Sequence, residues 1–206
     1  YNCRVFFNPE FLTEKNAWKD FLRPDRQIVA PAEMDEKSLE NAYLILKLLP
    51  VAFFMSPSDD CKMCSTEAEL VKHGANLFGS TKVSFFNMLY DRCKILGAEF
   101  ENVRRGITSD KRIGSSWSVT PFDGYRGYAG FCFTKDTNAT IAHDEALLQQ
   151  LSQNDVMQYF FPMAVQFLRL MRAYNEALLK SQGYTVEEVS RHDEEVKKIF
   201  RREGGK

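Results

Sequence analysis

The segment YAGFCFTKD (128–136) combines three side chains that can do chemistry. Cys132 follows a glycine-rich turn, and Lys135 and Asp136 stand three and four residues after it. A thiol in this position can be a buried small hydrophobe, a metal ligand, half of a disulfide or a nucleophile. A nucleophilic thiol needs a nearby cation or a helix N-terminus to favour the thiolate, so the elements around Cys132 decide its role.

The other cysteines give no strong signal for a metal or a disulfide framework. Their number is odd and their spacing irregular, which favours thiols in a reducing compartment. Cys61 and Cys64 form a lone CxxC without a second ligand pair at zinc spacing. An ordinary loop pair is favoured over zinc or thiol redox chemistry, and we predict no metal site. The five cysteines and three histidines are Cys3, Cys61, Cys64, Cys93, Cys132, His73, His143 and His192.

Composition indicates an ordinary globular protein. The 206 residues are 44% hydrophobic and 27% charged, with a net charge of −1. This balance argues against nucleic acid as a partner, and no apolar run approaches the roughly 20 residues that span a bilayer. No signal peptide is recognisable at Tyr1, which predicts a cytoplasmic protein without a membrane partner. Because the sequence begins without Met, inside a predicted strand, we expect it to be a piece of something longer.

The first 60 residues have the pattern of a parallel βαβ arrangement. Strands are predicted at 3–7, 27–30 and 51–55, and the apolar spacing predicts a helix from Asp35 to Leu49. No helix in this part begins with GxGxxG, the turn that binds a dinucleotide pyrophosphate. We therefore predict a partial Rossmann-like sheet, the C-terminal half of an NAD-domain remnant.

The remaining chain is predicted to be almost entirely helical. A helix over 65–96 has an acidic, capped first turn and ends at Gly97. Its length predicts either the spine between two domains or the core of a dimer, and we predict a homodimer. A short helix (100–105) and a glycine-punctuated loop (106–130) follow. Beyond Lys135 the chain is predicted to be helical, with breaks near Asn154 and Gly183 and a last helix over 186–202. The predicted fold is mixed α/β, with domains at 1–60, 61–145 (dimerisation and catalysis) and 146–206 (a helical extension).

Four segments together resemble the nucleotide-sugar dehydrogenase family, which includes the UDP-glucose and GDP-mannose dehydrogenases. They occur in the family's order and at nearly its spacing, over residues 3 to about 145. The resemblance implies an NAD-dependent oxidation of the C6 alcohol of an NDP-sugar to the acid, in two hydride transfers. The segments are NPEFLTEKNAWKDFLRPDRQIV (8–29), EAELVKHGANLFGSTKVSFFN (67–87), GITSDKRIG (106–114) and GYAGFCFTKDT (127–137).

The resemblance also implies a catalytic set that suits this chemistry. Cys132 would add to the intermediate aldehyde, and the thiohemiacetal would lose a second hydride to leave a thioester for hydrolysis. Lys72 and Asn76, four residues apart on one helix face, would stabilise the oxyanion and order the water. Lys72 or Lys135 would lower the pKa of the Cys132 thiol. The implied catalytic residues are Cys132, Asp136, Lys72, Asn76, Glu10 and Glu14.

Substrate and partner expectations follow from the same resemblance. Arg112 matches an arginine that reaches the sugar across the dimer interface, and Lys135 is a weak candidate for contacting NAD. Gly127 and Gly130 would let the backbone approach the sugar closely. The expected partners are a UDP-sugar, a second copy through the 65–96 helix, and a larger assembly. The implied substrate-binding residues are Arg112, Phe11, Leu12, Tyr128 and Gly130.

Two other functions stay open from the sequence. A catalytically inactive assembly subunit could retain the dehydrogenase dimer core, and a thiol enzyme could use Cys132 without NAD. Lys72 and Asn76 would then form a solvated helix stripe, and Arg112 and Asp110 a surface pair. Because no glycine-rich turn is present, we predict that the chain alone does not bind NAD tightly.

Overall fold

The computed structural model describes residues 3–13, 16–122, 124–152 and 155–190. The chain divides into two compact units, 1–75 and 76–206. This division lies inside the longest helix, whereas the sequence predicted boundaries after residues 60 and 145. Glu14, His192 and residues 191–202 of the predicted last helix lie outside the described residues.

The first unit contains the parallel pair that the βαβ pattern predicted. Strand β2 (Arg26–Ile28) pairs in parallel with β4 (Phe54–Ser56), and α2 (Glu36–Leu46) stands between them in the sequence. Helix α2 begins at Asp35, whose carboxylate accepts a hydrogen bond from the Ser38 amide at 3.0 Å. This N-cap satisfies one of the amides that a helix start leaves unpaired. The mixed fold with a partial parallel sheet is confirmed.

The strand predicted at 3–7 is wrong in length and in burial. Strand β1 covers Phe6–Phe7 alone and pairs antiparallel with β3 (Ala30–Pro31). Val5 is 67% exposed, and Asn8 turns the chain by donating to the Ile28 carbonyl at 2.6 Å. An apolar run ended by Asn-Pro does not reveal how many of its residues find a partner strand.

Two small apolar clusters stabilise the first unit. Val29, Ala42 and Leu46 pack α2 against the strands. Ile28 and Ala30 pack against Ala68 of α3 (Ser65–Leu96), and helix α1 (Ala17–Leu22) contributes no buried residue. The strands and the first turns of α3 therefore share one core.

Helix α3 has the predicted bounds. In the second unit Phe86 and Cys93 pack against Phe100 of α4 (Phe100–Thr108). Gly97 ends α3 with a φ of 68°, a left-handed conformation that costs glycine little. The loop predicted from residue 106 begins later, because α4 continues through Gly106 to Thr108.

Three further helices complete the described chain, in agreement with the predicted breaks near 154 and 183. They are α5 (Phe131–Gln150), α6 (Met157–Ser181) and α7 (Val186–Val189). Ile141 of α5 packs against Leu168 and Met171 of α6, which joins these two helices. Within the described part of the chain, every helix is too short or too polar to cross a lipid bilayer.

Candidate functional site

A buried carboxylate on α5 is the centre of the site in the second unit. Asp136 is 1% exposed, and its Oδ2 accepts a hydrogen bond from Nδ2 of Asn76 at 2.5 Å. Its other oxygen pairs with the ammonium of Lys135. A carboxylate is costly to bury unless it is paired, and these two donors offset that cost. The structure thus brings together Asn76, Lys135 and Asp136 of the predicted site.

Cys132 lies one helical turn before Asp136, at the second position of α5. Its side chain is exposed, and no disulfide joins the five cysteines, all of which lie in the described residues. Gly130 is the N-cap of α5 with a φ of 81°, a conformation that few residues other than glycine adopt. Amide groups at a helix N-terminus favour a thiolate over a thiol.

Aromatic packing fixes the first turn of α5 against α3. A Cβ on Gly79 would lie 2.5 Å from the ring of Phe133, so α3 leaves space for this ring only with glycine. The ring also contacts Trp117 and Tyr128, with centroid distances of 5.9 and 6.5 Å. The sequence analysis missed Gly79, which reads along the chain as an ordinary small helix residue.

Tyr128, an expected sugar contact, lies inside the second unit. It is 3% exposed, and burial raises the pKa of its hydroxyl to about 12. Gly127 has a φ of 99°, and a Cβ there would lie 2.6 Å from Oδ1 of Asn175. Glycine at 127 is therefore required by packing against α6.

In the first unit, the predicted residues Lys72 and Glu10 form an ion pair. Nζ of Lys72 lies 3.3 Å from Oε2 of Glu10, and the lysine side chain is largely buried while the glutamate is half-exposed. The same ammonium lies 5.7 Å from the centre of the Phe11 ring, whose face also carries the guanidinium of Arg26 at 4.0 Å. These two cation–π contacts stabilise the segment that follows β1.

A cavity of about 550 Å³ opens beside this segment within the first unit. Its lining includes Glu10, Phe11 and Leu12, together with Arg23 and Arg26. Three of the sequence-predicted residues thus line one concave surface with both polar and apolar groups, which is typical of a ligand site.

Arg112 lies on an exposed loop and pairs with its neighbour. Its guanidinium binds the Asp110 carboxylate through Nη2 at 2.6 Å, and this hydrogen bond raises the pKa of Arg112 and lowers that of Asp110. The end of this loop is held by Lys82, whose buried ammonium donates to the Ile113 carbonyl at 2.6 Å. Contact of Arg112 with a second subunit stays a prediction.

A polar network near Arg126 was not predicted. Arg126 pairs with Asp91 at 2.7 Å and stacks on the Tyr90 ring at 4.7 Å. Tyr174 donates to Asp91 at 3.0 Å. The hydrogen bond from Arg126 lowers the pKa of Asp91, while burial raises that of Tyr174 to about 12. These residues lie on three separate segments, so no sequence motif reveals them.

The described residues do not fit an NAD pyrophosphate or a metal ion. The only glycine among residues 1–75 is Gly74, which lies inside α3, so no strand-to-helix turn in the first unit has the glycines that a pyrophosphate needs. Cys61 and Cys64 are half-buried in the loop before α3. No group of three or more His, Cys, Asp or Glu side chains in the described ranges could hold a metal.

Comparison with known proteins identifies related sequences. Residues 66–158 match the central domain of the UDP-glucose/GDP-mannose dehydrogenase family. UDP-glucose 6-dehydrogenase of Pseudomonas aeruginosa is 39% identical over 145 residues, which are 70% of this chain and 30% of that protein. The UDP-glucose 6-dehydrogenase YwqF of Bacillus subtilis is 34% identical over 153 residues, 71% of this chain and 32% of that protein.

Solved structures of two dehydrogenases also resemble this chain. A UDP-glucose dehydrogenase from the hyperthermophilic archaeon Pyrobaculum islandicum matches with a TM-score of 0.65 and 31% identity, covering 86% of this chain and 35% of that one. The UDP-N-acetyl-mannosamine dehydrogenase Cap5O of S. aureus shares the fold, with a TM-score of 0.54 at 12% identity and the same coverage values of 86% and 35%. The chain thus spans about a third of the length of these relatives.

Proposed function

We propose that the chain belongs to the UDP-glucose/GDP-mannose dehydrogenase family, whose central domain its residues 66–158 match, and that it acts in the oxidation of a nucleotide sugar. The reaction converts the C6 alcohol to the acid in two hydride transfers, for which NAD is the acceptor by family resemblance. The described residues do not supply a pyrophosphate turn. The roles of this chain's own side chains therefore concern the sugar.

Cys132 is the proposed nucleophile. Its thiolate forms a C–S bond to the C6 aldehyde, and the former carbonyl oxygen takes a proton to give a thiohemiacetal. Loss of hydride from that carbon and of the proton from its hydroxyl group leaves a thioester. Water then adds to the thioester, and collapse of the adduct breaks the C–S bond to release the acid and the thiol. The exposed position of Cys132 at the start of α5 supports this role.

Asn76, Lys135 and Asp136 are proposed to support the thiol. The hydrogen bond from Asn76 to Asp136 fixes the amide group at one orientation, which is what stabilising a developing oxyanion requires. Asp136 is buried and already has two donors, so it orients its neighbours and affects the thiolate through its charge. Lys135, expected as a weak cofactor contact, is engaged in this pairing.

Lys72 and the two acidic residues are proposed for the hydrolytic half of the reaction. Lys72 stabilises the oxyanion, and Glu10 or Glu14 removes a proton from the attacking water. The ion pair between Lys72 and Glu10 supports a shared role, because it holds the ammonium and the carboxylate 3.3 Å apart.

The proposed substrate is a UDP-sugar. Phe11 and Leu12 line the cavity in the first unit and would contact it. Arg112 would contact it from a second copy of the chain, in a homodimer formed through α3. Gly130 and Tyr128 would act through the backbone, since the Tyr128 side chain is buried.

The observation that carries this proposal is the pairing of Asn76 with Asp136 one turn after Cys132. The test is NADH formation when NAD and UDP-glucose, or GDP-mannose in parallel, are supplied in excess. Two NADH per acid are expected, and Cys132→Ser should lower the rate by about 10²-fold or more. Cys61→Ser is the control and should retain the rate. Full turnover by Cys132→Ser would contradict the proposal.

An inactive assembly subunit is the second candidate, and it is favoured by the apolar side chains that α3 exposes for an interface, among them Phe78 and Phe85. Protection of Cys132 separates the two functions. In the dehydrogenase, UDP-glucose slows alkylation of Cys132 by iodoacetamide, whereas in an assembly subunit the sugar nucleotide leaves that rate unchanged.

A further inference from the structure

The loop that leads to Cys132 is held by two side-chain amides that follow the family-matching segment. Gln182 accepts from the Arg126 amide at 2.7 Å and donates to the Arg126 carbonyl at 3.0 Å. Asn175 of α6 does the same for Tyr128, accepting at 2.7 Å and donating at 3.0 Å. We name Asn175 and Gln182 the amide latch.

Asn175 and Gln182 each pair with both the amide and the carbonyl of one loop residue. Arg126 and Tyr128 are two residues apart, with Gly127 between them. Asn175 and Gln182 are seven residues apart, close to two helical turns, which places them on one side of α6 and its C-cap.

The contacts around the latch leave little freedom. Asn175 is 2% exposed and has partners for both its oxygen and its nitrogen. Gly127 lies between Arg126 and Tyr128, and a Cβ at this position would lie 2.6 Å from Oδ1 of Asn175. Asn87 of α3 accepts from the Gly127 amide at 3.3 Å on the other side. Buried amide groups that are fully paired specify one conformation of the loop.

The latched segment continues directly into α5. The Gly130 amide donates to the Val189 carbonyl at 2.8 Å, and Phe131 and Cys132 are the first two residues of the helix. Cys132 is the fourth residue after Tyr128, so the latch determines where the first turn of α5 begins. A loosened loop would let this turn fray, and the thiol would lose the helix amides that favour its thiolate.

We infer that Asn175 and Gln182 are positioning residues for Cys132. They act through the backbone of Arg126–Gly130 and touch no reacting atom. The catalytic meaning of this inference rests on the proposed function, while the effect on the thiol does not. It assigns a role to residues of the helical extension, for which the sequence predicted none.

The test is the alkylation rate of Cys132 by iodoacetamide as a function of pH, measured by peptide mass spectrometry on the full chain. Gln182→Ala should move the pH midpoint of Cys132 upward and slow the reaction at neutral pH by about threefold to tenfold. The rate at high pH, where every thiol is ionised, should be unchanged. The buried Cys93 in the same molecules reports any global loosening.

Two further variants separate positioning from general stability. Gln182→Glu retains the acceptor for the Arg126 amide and loses the donor, so its midpoint should lie between those of the native protein and Gln182→Ala. Gln166→Ala removes an exposed amide from α6 and should leave the profile unchanged. Asn175→Ala should have the larger effect, and Gln182, being half-buried, provides the test if that variant fails to fold.

Alkylation requires neither NAD nor a nucleotide sugar. If Gln182→Ala and Gln182→Glu both have the native Cys132 profile, the inference is overturned, whether or not any sugar is oxidised. A shifted profile together with no NADH formation would support the latch and count against the dehydrogenase activity.

Discussion

Asn76 and Asp136 are 60 residues apart in the sequence and are joined by a hydrogen bond of 2.5 Å. The bond connects α3 to α5 at the turn that follows Cys132. Because Asp136 is 1% exposed, the donor on α3 compensates a carboxylate that solvent does not reach. One pair of side chains thus contributes both to the packing of the second unit and to the orientation of the candidate catalytic groups.

Asn76→Ala is expected to destabilise the protein by about 1–3 kcal/mol, since it leaves a buried carboxylate oxygen without that donor. Urea unfolding followed by circular dichroism measures the change. Asn138→Ala is the matched control, because Asn138 is an exposed asparagine of α5 and should cost less than about 0.5 kcal/mol. Equal losses in the two variants would show that the bond to Asp136 contributes nothing special.

Two glycines of α3 should respond to alanine with opposite signs. At Gly79 the new methyl group would meet the Phe133 ring at 2.5 Å, which should destabilise the fold by about 1–3 kcal/mol. At Gly74 an added Cβ would meet no described atom within 4 Å beyond its chain neighbours and its own helix backbone, so the higher helix propensity of alanine should stabilise by up to about 1 kcal/mol. Thermal unfolding of both variants checks the signs, and a stabilised Gly79→Ala would contradict the packing of α5 on α3.

The contribution of Asp91 to the free energy of unfolding should decrease as the pH falls. Its hydrogen bond with Arg126 lowers the pKa below the ordinary 3.8, so the ionised form stabilises the folded state above pH 3.8. That contribution disappears as the pH falls through the lowered pKa. Asp91→Asn should therefore be less stable than the native protein at neutral pH, and the difference should vanish in acid. Urea unfolding across a pH series measures it.

Asp144 provides the contrasting case for the same pH series. Burial raises its pKa above 3.8, so its ionised form destabilises the folded state at neutral pH. Asp144→Asn should stabilise the protein at neutral pH, with an effect that disappears below pH 3.8. If Asp91→Asn and Asp144→Asn changed the free energy of unfolding in the same direction at neutral pH, the pKa directions assigned to Asp91 and Asp144 would be wrong.

NAD is expected to bind the chain weakly. Residues 1–75 contain one glycine, inside α3, so the described residues of the first unit include no glycine-rich turn that presents several amides to a pyrophosphate. Isothermal titration calorimetry of the chain with NAD should show no binding in the micromolar range. A micromolar dissociation constant would overturn this prediction.

A homodimer through α3 is expected from the apolar residues that this helix exposes, among them Phe78, Phe85, Met88 and Ile95. Contiguous exposed apolar side chains usually mark an interface. Sedimentation velocity should give the mass of a dimer, and Phe85→Glu should shift it to that of a monomer. Leu48→Glu, at an exposed position of the first unit, is the control. A native protein that sediments as a monomer at high concentration would refute the prediction.

The local features of the fold could be predicted from the sequence. The bounds of α3 follow from an acidic first turn and from Gly97, and the breaks near 154 and 183 separate α5, α6 and α7. The failures concern strand partners. The run at 3–7 reads as a strand, yet two of its residues pair, and they pair antiparallel with a segment more than 20 residues away.

The resemblance named the candidate site residues, but it could not predict the contacts between them. The resemblance indicated Asn76 and Asp136, while their direct bond depends on how α3 packs against α5, which no spacing encodes. Asn175 and Gln182 were missed for the same reason, since the backbone groups they bind lie 47 and 56 residues earlier. Neither residue type nor periodicity distinguishes them from exposed amides such as Gln166.

The amide latch has a practical consequence for dissecting this protein. The span that matches the family's central domain ends at residue 158, before either latch residue. A fragment expressed over 66–158 would contain Cys132 and Asp136, yet Arg126 and Tyr128 would lose the partners that now cover their backbone groups. The smallest fragment with a native thiol environment should therefore extend at least through Val189, whose carbonyl receives the Gly130 amide.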